Sequence, residues 1–217
     1  MHSTNNDANT NWVLNGIQYA IFKRISPSLT HDLVSPLSVA LIQAGILKRK
    51  LKNDAVNPHD LLENAVNLES HIKQTVLLIR AMKTWDSPNH QIFSASTIYT
   101  QGIKFFRTRF AIRGIELALV ENHQSYAEIK DFHAFMYSWL GLLCYLEDRF
   151  ETPVKVSVEQ IAEKTISILF EEKSTTDDLP PVLKSSEDCI GEQELLLLSA
   201  RYATTFEFNQ DSILFKW

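Results

Sequence analysis

Apolar residues recur every three or four positions through the first part of the chain. Ile25, Leu29, Leu33, Leu37, Ala40, Ala44, Leu47 and Leu51 form one stripe, and Leu61, Ala65, Leu68, Ile72, Val76 and Ile79 form another. That spacing belongs to α-helices with one apolar face, and it predicts helices over 26–52 and 58–85. Ser26-Pro27 reads as the N-cap and first position of the earlier one. Ahead of it, residues 11–24 predict a short separate helix and residues 1–10 a disordered tail; residues 53–58 predict a turn. Pro36 lies inside the helix and has no N–H for the carbonyl of Asp32, which predicts a kink just after His31. At 1.5 Å per residue each helix is roughly 40 Å long. A lone pair of such helices has little to bury its stripes against. Two hairpins joined as a four-helix bundle solve that, so the pattern predicts a homodimer.

After Asp86-Ser87-Pro88-Asn89 the pattern changes, marking a domain boundary. Helices are predicted over Ser94 to Ile112, ended by Gly114, over Ile129 to Phe150, and over Glu192 to Ala203. Strands are predicted at Ile115 to Val120, Val154 to Val158 and Thr165 to Phe170, with a closing hairpin of Thr205 to Phe208 and Ser212 to Trp217. Glu171 to Asp188, with Pro180-Pro181, reads as a solvated loop. The fold class expected is α+β: a helical hairpin over 11–87, then a sheet covered by helices over 92–217.

The 217 residues carry a net charge of −5, and without a basic excess a general nucleic-acid surface is not expected. Two cysteines, Cys144 and Cys189, suggest reduced thiols and a cytoplasmic setting rather than a disulfide framework. The polar start lacks the apolar centre of a signal peptide. No unbroken apolar run approaches the ~18 residues of a membrane span, so no membrane partner is expected. His59, His71, His90, His123 and His133 show no ligand spacing, so neither a metal nor a cofactor is expected in the chain itself.

His31 departs from the helical stripe. A helix turns about 100° per residue, which sets it roughly 160–200° from both Leu29 and Leu33, on the outer face. Asp32 follows at once, and an exposed imidazole beside a carboxylate is a good phosphoryl acceptor. Asp32 is the candidate hydrogen-bond and proton partner of the ring, although adjacent helical residues do not face one another. Ser35, one turn on, can bond a phosphoryl oxygen or a water. Ser35, Ser38, Ile42, Gly45, Ile46 and Arg49 fall within about 60° of His31, with Val34 and Val39 flanking. Small residues beside exposed aliphatics make a shallow apolar strip, which suits docking of another protein better than solvation.

The string His31-Asp32-Leu33-Val34-Ser35-Pro36-Leu37 resembles the phospho-acceptor motif of sensor histidine kinases, and the closer likeness is to the ChpT-type histidine phosphotransferases. Lys104-Phe105-Phe106-Arg107, with Phe110, resembles a second signature of that family, and Tyr137 to Leu146 leading into Val154 to Val158 a third. Together they cover most of 26–217. The resemblance implies a dimeric four-helix bundle followed by a kinase-like ATP-binding α/β sandwich that has lost its nucleotide. No asparagine lies between Asn122 and Asn209 to serve Mg²⁺, and Gly102, Gly114, Gly141 and Gly191 never cluster into a phosphate loop. The resemblance further implies a phosphorelay: His31 accepts a phosphoryl group from a receiver-domain aspartate and passes it to another receiver, whose acidic pocket brings the Mg²⁺. Val34, Ser38, Val39, Ile42, Ile46 and Arg49 would hold that receiver, with Lys104 and Arg107 contributing from the second domain. The competing expectation is a non-catalytic adaptor that keeps the docking surface. An ATP-using kinase is a weaker one.

Overall fold

The computed structural model describes residues 3–52, 57–83, 93–120, 128–129, 131–172 and 189–217. Residues 53–56 of the predicted turn, the boundary Asp86 to Asn89 and residues 173–188 of the predicted loop lie outside them. The chain divides into two compact units, Met1–Ile25 with His90–Trp217, and Ser26–Asn89. They are called the α/β unit and the hairpin unit below.

One helix serves both units. α1 runs Ser3–Lys50 without a break and contains both Pro27 and Pro36. The expected division placed a disordered tail over 1–10, a separate helix over 11–24 and a helix start at Ser26. Instead Ser3 to Thr10 already lie in α1, and the boundary between units falls after Ile25. The physical reason is burial on either side of Pro27. Leu14, Ile17, Ile21 and Ile25 are enclosed before it and Leu29 after it, so packing holds the helical path that the proline's missing N–H weakens. By length and composition, part of α1 is apolar enough to cross a membrane. The expectation of no such stretch counted unbroken apolar runs, whereas an average tolerates polar residues set among aliphatic ones. The longest runs of α1 free of Asp, Glu, Lys and Arg are Ala8 to Phe22 and Leu33 to Leu47, of 15 residues each, short of the about 20 residues a spanning helix takes.

The α/β unit holds β1 (Phe93–Ser94), α3 (Ala95–Ile112), β2 (Ile115–Val120), β3 (Glu128–Ile129), α4 (Phe132–Arg149), β4 (Val154–Ala162), β5 (Thr165–Glu172), α5 (Glu192–Tyr202), β6 (Thr205–Phe208) and β7 (Ser212–Lys216). Its sheet has the order β2-β4-β5-β7-β6. β2 runs parallel to β4 and the other neighbours are antiparallel. β1 and β3 form a separate antiparallel pair. The predicted elements recur here with shifted ends, while β1 and β3 were not expected, and β5 takes in Glu171 and Glu172, which were expected in the loop. β4 extends to Ala162 across a register shift after Gln160. α4 begins at Phe132 because the Asp131 carboxylate caps it, accepting from the Ala134 N–H at 3.0 Å. Gly114 ends α3 with φ at +71°, a conformation that disfavours any side chain.

Alternation along the strands turns Val154, Val156, Val158, Ile166, Ile168, Ile213 and Phe215 into the core. α4 is buried along nearly its whole length, as expected of a helix apolar on all sides. Its Trp139 stacks on Phe215 and donates its indole N–H to the Tyr99 carbonyl at 3.1 Å. α3 approaches so closely that a Cβ at Gly102 would lie 2.6 Å from the Trp139 indole nitrogen.

A buried ion cluster ties the first part of α1 to this core. Arg24 donates to the Asp148 carboxylate at 2.6 Å, to Glu147 at 3.4 Å and to the Cys144 carbonyl at 3.2 Å. Arg109 reaches the other side of Glu147 at 2.8 Å, and Arg113 lies 3.8 Å from Asp148. The Ile190 N–H also donates to Asp148. Mutual pairing is what lets these charges stay away from water.

The hairpin unit contains α1 from Ser26 onward and α2 (Pro58–Lys83). Asn57 starts α2 by accepting from the His59 N–H on its side chain.

Candidate phosphoryl-acceptor site

The outer face of α1 in the hairpin unit carries His31, Asp32 and Ser35. The His31 side chain is 81% exposed and Asp32 27%. Nδ1 of the ring lies 3.6 Å from the Asp32 carboxylate. That separation suits an ion pair once the ring is protonated but is long for a hydrogen bond. The opposite ring nitrogen, Nε2, is the one remote from the carboxylate. Ser35 is exposed one turn further on, and Pro36 is buried.

The rest of the strip follows the helical period. Val34, Ser38, Ile42 and Arg49 are exposed, with Ile42 at 61%; Val39 and Ile46 are half-buried. Gly45 faces open space, with no atom within 4 Å of the place a Cβ would take. Lys104 and Arg107 belong to the α/β unit, on the exposed face of α3, while Phe105, Phe106 and Phe110 of the same signature are buried in its core. The aromatic part of that signature therefore has a packing role.

Part of both predicted stripes also stands in solvent, in keeping with a lone pair of helices that has little to bury them against. On α1, Leu41 is 76% exposed, and Leu37 and Leu51, both of the predicted stripe, are exposed as well. On α2, Ala65, Ile72, Val76 and Ile79 of the predicted stripe are exposed, Leu61 and Leu68 are half-buried, and Thr75 is the enclosed residue, its hydroxyl bonded to the His71 carbonyl. An apolar stripe spans more than 100° of a helix, and one neighbouring helix covers only part of that arc. Leu41 could have been found from its place four residues after Leu37.

Within the α/β unit, the end of α4 is filled by its own side chains. Tyr145 donates to Glu192 of α5 at 3.0 Å and accepts from Arg149 at 3.1 Å, and the Arg149 guanidinium lies 4.9 Å from the Phe170 ring. Burial raises the Tyr145 phenol above its ordinary pKa. Among the described residues no group of three or more His, Cys, Asp or Glu is placed to hold a metal.

No protein-family model matches the sequence, and no curated protein is similar to it. Among solved structures, the chain is similar to the Acinetobacter baumannii histidine kinase AdeS at 14% identity, covering 85% of this chain and 94% of that one, with a TM-score of 0.38. It is similar to a histidine kinase from Burkholderia phymatum at 17% identity, covering 97% and 93%, with a TM-score of 0.40. It is also similar to the histidine kinase ThkA in its complex with the response regulator protein TrrA, at 10% identity, covering 91% and 61%, with a TM-score of 0.37. Scores below 0.5 are too low to assign a fold family.

Proposed function

We propose that the chain is a histidine phosphotransferase of a two-component phosphorelay, acting in the cytoplasm as a homodimer. The observation that carries this reading is the imidazole of His31, standing in solvent on a helix face beside the Asp32 carboxylate. Phosphoryl transfer depends mainly on positioning and charge neutralisation. In the proposed step, the Nε2 lone pair attacks the phosphorus of a receiver's aspartyl phosphate. The N–P bond forms as the P–O bond breaks, and the receiver's carboxylate leaves. The ring becomes cationic, and Asp32, on the Nδ1 side, stabilises that charge or takes the proton. Ser35 bonds a phosphoryl oxygen. The receiver supplies the Mg²⁺. Transfer to a second receiver is the same step reversed.

The strip below His31 suits the receiver's docking surface: Ser38 and Gly45 let a partner approach closely, Val34, Val39, Ile42 and Ile46 are apolar, and Arg49 meets acidic groups. Lys104 and Arg107 add a basic surface in the α/β unit. The exposed aliphatics Leu37, Leu41, Ile72 and Val76 support pairing with another hairpin, which would take them out of water. The test is incubation with a receiver carrying radiolabelled aspartyl phosphate. Label should reach the wild-type chain and not His31→Gln. Receiver binding with no label on either chain would leave an adaptor.

A further inference from the structure

We draw no further inference here: the strongest candidate, the outward face of the first part of α1 where Trp12, Tyr19 and Phe22 stand exposed around Gly16, is an unpartnered apolar surface, and nothing in the structure shows what covers it.

Discussion

In the α/β unit, Trp139, Phe106, Phe110 and Leu143 are wholly enclosed, and even the charges of Arg24, Glu147 and Asp148 are buried against one another. In the hairpin unit, Leu41, Leu62 and Leu77 are each more than 60% exposed, and Leu29, Pro36 and Ala40 are its buried apolar residues among the described residues. The first unit satisfies its apolar and ionic groups within one chain. The second, which carries His31, leaves apolar side chains of both its helices in solvent. The difference teaches that internal packing suffices for one unit, whereas the other leaves apolar surface that the proposed pairing would cover.

The largest effect should come from the ion cluster. Glu147→Ala strips Arg24 and Arg109 of a shared buried partner, and a loss of about 3–5 kcal/mol is expected, measured by urea unfolding. His31→Gln, in the same assay, should leave stability unchanged because its ring is in solvent. Equal losses from the two would erase the contrast between the units.

Next comes the hairpin's open surface. The double substitution Leu41→Ser with Ile72→Ser should convert a dimer to a monomer in light scattering, while the circular dichroism of the α/β strands is kept. An unchanged mass would mean that these side chains lie outside the association surface.

A pair of glycines sharpens the same comparison. Gly102→Ala should destabilise by about 1–3 kcal/mol, because the new methyl group collides with Trp139. Gly45→Ala meets open space and should stabilise α1 by about 0.5–1 kcal/mol. It should also weaken receiver binding in calorimetry, by filling the strip where a partner approaches. The smallest effect concerns thiols. Burial pushes the Cys144 thiol well above its ordinary pKa, whereas Cys189 is exposed. At pH 8 an alkylating reagent should therefore label Cys189 alone in the native chain and both residues in denaturant, as counted by mass spectrometry.

Much of this organisation was legible in the residues. Period-two alternation revealed Val154 to Val158, and the 3.6-residue period put His31, Ser35, Ser38 and Ile42 on one outer face. Continuity of α1 was not legible, since Ser26-Pro27 is a strong local start signal and only burial of Ile25 and Leu29 overrides it. Arg24 was missed because its partners Glu147 and Asp148 lie more than 120 positions away in sequence, and no local pattern links them. The stripe over 26–52 was expected to lack cover in a lone hairpin, because burial depends on how many neighbours a helix has. Leu37 and Leu41 show that the hairpin alone provides too few.

Mapping the phosphoryl group tests the central claim most directly. The chain is incubated with a phosphorylated receiver, digested at alkaline pH where phosphohistidine survives, and sequenced by tandem mass spectrometry. The account predicts an acid-labile phosphoryl group on His31, absent after His31→Gln. A phosphoryl group on another residue, or none on a chain that binds the receiver, would contradict it.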